Sequence, residues 1–263
     1  MILGLSHIAF SSDHIDAATD HLTWFGYAPR FDEPVLENHT AKAPFLTRHQ
    51  PQHHIRALAA DGAMAIELLD HGGLAGPQTS CLIPIFCSEV PCPDWQPRPL
   101  ESLPISPDGV NSLRNALGQV PQAFHDEALS MTLLWISASN EPAGLHACAV
   151  PTNYTGGVTS LLNQLRFRSD STGIWKLLTP LPALQARLIP VGSSPARGWS
   201  AQPLLDAPGC GCLALMARST ECTPMPSALQ RKAVSFNLQV NGKNSRITMA
   251  RPENGPIIEL VEQ

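Results

Sequence analysis

One short pattern occurs near both ends of this chain, and it restricts the possible architectures more than any other feature. Gly62-Ala63-Met64-Ala65-Ile66-Glu67-Leu68-Leu69 returns as Gly255-Pro256-Ile257-Ile258-Glu259-Leu260-Val261, in each case a glycine turn followed by a strand carrying Ile-Glu-Leu. A pattern repeated in matched context implies a repeated supersecondary unit. Upstream of the first copy, Leu3 to Phe10 alternates as a strand, Asp13 is placed to cap a helix with Asp16 as capping-box partner, and Gly26 stops that helix. Short strand candidates follow at Ala28 to Phe31 and Phe45 to Arg48, then His54 to Ala59 and Ala63 to Leu69, with Asp61-Gly62 as a tight turn. The order reads βαβββ. Upstream of the second copy, Gly211 to Ala217 matches the opening strand and Pro226 to Lys232 can supply a short helix. Val234 to Val240 and Ser245 to Arg251 are strands joined by Asn241-Gly242.

Alternate strand residues face opposite sides of a sheet, so the pattern also predicts which side chains meet. Ile8 and Phe10 point towards the helix, and Leu5, His7 and Ala9 point away from it. In the last strand Ile66 and Leu68 face the helix, leaving Ala65, Glu67 and Leu69 opposite. His7 and Glu67 are therefore expected to share a face, where a buried carboxylate needs a partner, a proton or a metal. His53 and His54 alternate in facing and are expected at the surface.

At 263 residues the chain exceeds a typical single domain. Its 25 prolines gather in Pro91 to Pro107 and Pro180 to Pro208, which read as connecting or covering segments because proline lacks an N–H and fixes φ. Between them, Cys81 to Cys87 and Met131 to Ala138 read as strands around a helix at Asp108 to Leu117. Gly144 to Val150 resembles another opening strand, with His146 in the position of His7. A helix at Gly157 to Leu165 and strands at Leu165 to Arg168, Ile174 to Leu178 and Leu184 to Val191 follow it. The expected division is a domain over 1–140, with its module at 1–72 clear, and another over 141–263, with its module at 207–263 clear.

The seven cysteines lack the CxxC pairs of zinc ribbons and read as reduced structural thiols; Cys210 and Cys212, two apart, are expected on one face. A net charge of −5 provides no basic field for nucleic acid, and no apolar run reaches the ~20 residues that span a bilayer. The N-terminus lacks the features of a signal peptide, so a cytoplasmic protein without nucleic-acid or membrane partners is expected. No GxGxxG, Walker, GxSxG or HExxH motif occurs.

The opening Leu5-Ser6-His7-Ile8-Ala9-Phe10, the helix ending in Trp24-Phe25-Gly26-Tyr27 and the closing Ile66-Glu67-Leu68 resemble a module of the vicinal oxygen chelate superfamily, which includes glyoxalases and extradiol dioxygenases. The resemblance implies an α+β fold of repeated βαβββ modules, whose curved mixed sheets form cups. It implies a small-molecule ligand with vicinal oxygens, a homodimer as one open assembly, and a divalent metal (Fe, Mn, Zn, Ni or Co) held by first-strand and last-strand side chains. Carried over residue by residue, it makes His7, Glu67 and Glu259 metal ligands and gives Glu67 and Glu259 catalytic roles. Ala214 stands at the fourth position, and His146 is the candidate for the missing imidazole. The class left open is a metal-dependent lyase, isomerase or dioxygenase, against a metal-free protein that sequesters a small molecule or a scaffold with a vestigial cup.

Overall fold

The computed structural model describes residues 2–79, 81–152, 155–179, 184–194, 199–200, 202–218, 229, 232–240, 243–253 and 255–262. The first module comprises β1 (Ile2–Ser11), α1 (Ile15–Thr23), β2 (Ala28–Glu37), β3 (Gln52–Ala59) and β4 (Ile66–Asp70). After a short β5 (Gln78–Thr79), the second has β6 (Ile83–Ser88), β7 (Gln96–Arg98), α2 (Pro107–Leu117), β8 (Gln122–Asp126) and β9 (Met131–Ser137). The third has β10 (Gly144–Thr152), α3 (Thr155–Gln164), β11 (Phe167–Ser169), β12 (Trp175–Leu177) and β13 (Arg187–Gly192). Following β14 (Trp199–Ser200), the fourth has β15 (Gly209–Ala217), β16 (Val234–Val240), β17 (Lys243–Ala250) and β18 (Ile257–Glu262). The helix expected over 226–232 and the turn at 241–242 lie largely outside the described residues, as does Cys222.

Pairing brings the ends of the chain together. One eight-stranded sheet runs β16-β17-β18-β15-β1-β4-β3-β2, and the other runs β11-β12-β13-β10-β6-β9-β8-β7. The first and last modules thus share a sheet, and the two middle modules share the other. A boundary at 140 falls between β9 and β10, two strands of one sheet, so each half of the chain contributes to both sheets. Two strand prolines fit because the ladder is one-sided where they lie. Pro84 precedes the residues of β6 that pair with β9, and Pro190 lies past the residues of β13 that pair with β12.

The main core joins both sheets and two helices. It combines Ile8, Phe10, Ile66 and Leu68 with Leu22 of α1 and Phe25 in the turn after it, Leu162 of α3, and Phe86, Leu133, Trp135 and Val150 of the second sheet. The β3–β4 turn is fastened to the second sheet by Tyr27, whose buried hydroxyl donates to Met64 O at 2.7 Å and accepts from Leu145 N at 3.0 Å. Contact there is close: a Cβ on Gly144 (φ +128) would lie 2.6 Å from Ala63 Cβ. Replacing Tyr27 with Phe leaves both buried backbone groups unpaired, and is expected to lower unfolding free energy by about 1–3 kcal/mol in urea titration.

Several expectations are corrected. A bulge between Leu5 and His7 puts Leu5 in the helix-side core, so Leu5 and His7 face opposite ways. A second irregularity, where Ala9 pairs with Cys212 and Phe10 with Cys210, places Cys210 in the core between the sheets and Cys212 on the other face. The helix begins at Ile15 with His14 rather than Asp13 as N-cap, and Ser12 Oγ accepts from His14 N at 3.0 Å. Phe45 to Arg48 forms no sheet strand. Thr40–Phe45 is a 3₁₀ helix, and the next amides, Thr47 N and Arg48 N, bond to the carboxylate of Asp206 instead of a ladder. The stretch 91–107 is more than a surface linker, since Trp95, Leu103 and Ile105 are buried.

Candidate functional site

The bulge before His7 determines what the first sheet offers on the face away from α1. Beyond it, His7 pairs with Ala214, Ala9 pairs with Glu67, and Ala214 pairs with Glu259. Glu67 and Glu259 therefore flank the central pair β1–β15 from equivalent strands. This face forms a cup with an apolar lining that includes Ala9, Ile55, Leu69, Cys212, Met249 and Ile257. The chain between β2 and β3 roofs it, with Phe45 and Leu46 buried against the lining. His39 starts the roof's 3₁₀ helix, its Nδ1 accepting from Ala41 N, and stacks on Phe236 of β16 with centroids 4.7 Å apart. Lys42 lies on the same helix, 7 % exposed, its Nζ 5.7 Å from the centre of the Phe236 ring.

At the cup floor His7 Nε2 lies 3.2 Å from Glu67 Oε2. The two are close enough for an ion pair, but their alignment is not that of a hydrogen bond, and Nε2 has no other partner among the described residues. Burial alone would depress the His7 imidazole, but the Glu67 carboxylate, assisted by Glu259, more than offsets this and raises its pKa. Burial likewise pushes Glu67 up, and His7 outweighs it, leaving Glu67 below the usual carboxylate range. Glu259 moves the other way: burial raises it, His7 opposes, and the neighbouring Glu67 reinforces the rise. Cys212 Sγ lies 3.9 Å from Glu259 Oε2, and burial beside Glu259 and Glu67 pushes its thiol well above the ordinary range.

His7 and Glu67 make the one ion pair of this floor among the described residues, Ala214 contributes no donor, and the Lys42 cation acts electrostatically on His7, Glu67 and Glu259 together. Among the described residues no group of three His, Cys, Asp or Glu side chains is arranged to hold a metal ion.

His146 does not join this floor. It accepts at Nδ1 from Arg187 Nη1 at 3.0 Å, with Glu141 at 3.9 Å, and lines a separate pocket of about 310 Å³ with Met64, Gln185 and Arg187. Burial and Arg187 lower its pKa. The second sheet has no matching open cup, because Leu113 of α2 fills its far face against Ile83, Ile85, Ile136 and Val191. A groove of about 510 Å³ between Phe45, Lys232 and Arg251 lies outside the roof and contains none of the floor residues.

Sequence reasoning missed the residues beside the roof. His53 is buried, 3 % exposed, not at the surface, and its ring centroid lies 4.8 Å from that of His71, which is equally buried. Alternation contained the signal: Ile55 faces the cup, so His53 does, and Glu67, Leu69 and His71 share one side. Lys42 had no such signal, since its placement depends on a 3₁₀ helix inserted between two strands. Burial, with Lys42 next in effect, pushes His53 down to about 2 and His71 down to about 3.

No family model matches the sequence, and no curated protein matches it. Solved structures are similar over nearly the whole chain. Glyoxalase I from Zea mays matches with a TM-score of 0.58 at 11 % identity, covering 98 % of this chain and 92 % of that one. A point mutant of the same enzyme gives 0.59 with the same identity and coverage. A candidate dioxygenase from Bacillus subtilis subsp. subtilis str. 168 gives 0.53 at 11 % identity, covering 99 % and 85 %. The fold is that of glyoxalase I, α+β with curved mixed sheets built from repeated modules. At such identity the likeness concerns the fold, and the chemistry has to come from this chain's own residues.

Proposed function

We propose that this protein is an enzyme that moves protons on a small molecule with vicinal oxygens, bound in the cup of the first sheet. The supporting observation is that Glu67 and Glu259, equivalent residues of two modules flanking one imidazole, have their carboxyl pKa values shifted in opposite directions, Glu67 down and Glu259 up. Environments that separate the pKa values of two carboxyl groups assign a base and an acid. Glu67, held ionised by His7, takes a proton from the carbon beside a ligand carbonyl. Glu259, inclined to keep its proton, gives it to the carbonyl oxygen, and the His7 imidazolium offsets the charge that develops between them. Reversal of the two transfers at the neighbouring carbon completes an isomerisation and restores both groups. General acid–base assistance of this kind contributes about 10²–10⁴-fold.

A second reading is sequestration without turnover, favoured by Ala214 at the fourth position and by the roof over the cup. One experiment separates the readings. Protein purified without added metal is assayed for metal content, then incubated with a mixed small-metabolite extract and analysed by native mass spectrometry. The proposal expects wild type to consume a compound bearing adjacent oxygens and Glu259→Gln to retain it unaltered. Retention unaltered by wild type supports sequestration. One equivalent of a divalent ion, lost on Glu67→Ala, would replace the metal-free reading with the metal-dependent one that the family resemblance implies.

A further inference from the structure

Four polar atoms at the roofed end of the cup have no partner among the described residues, in a place too buried for bulk water to supply one. They are both ring nitrogens of His53, Nε2 of His71 and Oδ1 of Asn38. The three residues are only 2–3 % exposed. Leaving such a group unpaired costs about 1–3 kcal/mol, so a cluster of four calls for an explanation. They face one region, because the ring of His71, just past the end of β4, lies against that of His53 of β3 with centroids 4.8 Å apart, and Asn38 contacts His71 from the start of the roof.

The tautomers follow from the bonding. Asn38 Nδ2 donates to Gln50 O at 2.8 Å, which fixes the amide, and the same Nδ2 lies 3.3 Å from His71 Nδ1. His71 Nδ1 is thus an acceptor, and the neutral ring has its proton on the unpartnered Nε2. His53, also neutral, has one unpartnered N–H and one unpartnered lone pair. Lys42 adds a buried cation whose charge reaches both rings, and among the described residues no carboxylate lies within salt-bridge distance of its ammonium. The unmet inventory is two N–H donors and a cation on one side, and two acceptors, Asn38 Oδ1 and a His53 nitrogen, on the other. A metal ion does not match it, since His71 Nε2 is protonated and Lys42 repels a cation.

We propose that Lys42, His53, His71 and Asn38 form a subsite for an oxyanion that also bears an O–H, as in an α-hydroxycarboxylate or a monohydrogen phosphate group. The oxyanion receives the imidazole N–H groups and the ammonium, and its hydroxyl donates to Asn38 Oδ1 or the free His53 nitrogen. The proposal goes beyond acid–base work at the cup floor and stands on different residues. His71 lies four residues beyond Glu67, about 13 Å at 3.3 Å per residue. A ligand anchored at the subsite would extend towards the floor.

The test is a titration of ¹⁵N-histidine-labelled full-length protein, followed by NMR, with inorganic phosphate, lactate and propionate as probes. The His53 and His71 imidazole signals are expected to shift saturably with phosphate or lactate. Propionate, which has the oxyanion without the hydroxyl, should bind at least about tenfold more weakly, the loss of one ~1.4 kcal/mol interaction. Lys42→Arg should keep the response and Lys42→Met should weaken it by about tenfold or more. Saturation by phosphate alone assigns a phosphoryl source, and saturation by lactate alone a hydroxy acid. The proposal is overturned if no probe gives a saturable shift at millimolar concentration, if propionate binds as well as the tighter of phosphate and lactate, or if Lys42→Met binds like wild type. It is also overturned if zinc, added in a separate arm, shifts both rings stoichiometrically. Because the readout is binding at His53 and His71, inactivity at Glu67 and Glu259 leaves the result unaffected.

Discussion

Acidification is expected to unfold this protein steeply from just below pH 6.5, and two buried histidines are the cause. His53 and His71 are held neutral at pKa values of about 2 and about 3 by burial, with the Lys42 cation adding to the effect. In the unfolded chain each returns to about 6.5. Between these limits the unfolded state binds two protons that the folded state refuses, so stability falls as pH falls. Each ring contributes about 1.4 kcal/mol per pH unit, or about 5 kcal/mol for the pair between pH 6.5 and 4.5. That is comparable with the whole stability of many domains, about 5–15 kcal/mol. Urea midpoints measured at half-unit intervals in buffer free of phosphate and carboxylate check it. His53→Leu and His71→Leu should each remove about one proton from the slope. An unchanged slope in both variants would place the acid sensitivity elsewhere.

How much of this was legible in the sequence depends on which interactions are local. The repeated Ile-Glu-Leu strand, the amphipathic α1 and the turn at Gly62 are set by period and turn chemistry, and the structure has a βαβββ module at the first copy and the strands β15 to β18 at the second. The facing of His7 and Glu67 also followed from alternation, and the two side chains meet. Bulges were not legible. The shifts after Leu5 and beside Gly211 reverse the facing of Leu5 and separate Cys210 from Cys212, and nothing in two-residue alternation announces an inserted residue. Long-range pairing was equally hidden, because the choice of the last module as partner for the first is made by contacts some 200 residues apart in the chain. The roof was lost for a related reason. Phe45 to Arg48 has strand-like composition, but a carboxylate more than 150 residues away takes its amides.

That carboxylate underlies the second large effect: Asp206→Ala should detach the roof from the cup. Asp206 is 4 % exposed and accepts from Thr47 N at 2.9 and 2.8 Å and from Arg48 N at 3.1 Å. The backbone on either side strengthens the same joint, with Leu205 N donating to Phe45 O at 2.8 Å and Ser11 Oγ donating to Leu205 O at 2.8 Å. Hydrogen bonds to a charged group contribute about 1.5–3 kcal/mol each, so losing this carboxylate should cost about 2–4 kcal/mol, concentrated in the segment it holds. A local opening free energy reduced by ~3 kcal/mol corresponds to roughly 10²-fold faster amide exchange, while amides of β6 and β9 in the other sheet should change far less. The functional consequence follows from what the roof covers. With it loosened, His53, His71 and Lys42 become accessible to water, the two imidazoles recover ordinary pKa values, and the steep acid dependence flattens. Hydrogen exchange by mass spectrometry over residues 38–50 reads the first effect, and histidine titration by NMR the second. Protection of residues 38–50 equal to wild type in Asp206→Ala would show that the apolar contacts of Phe45 and Leu46 hold the roof without the carboxylate.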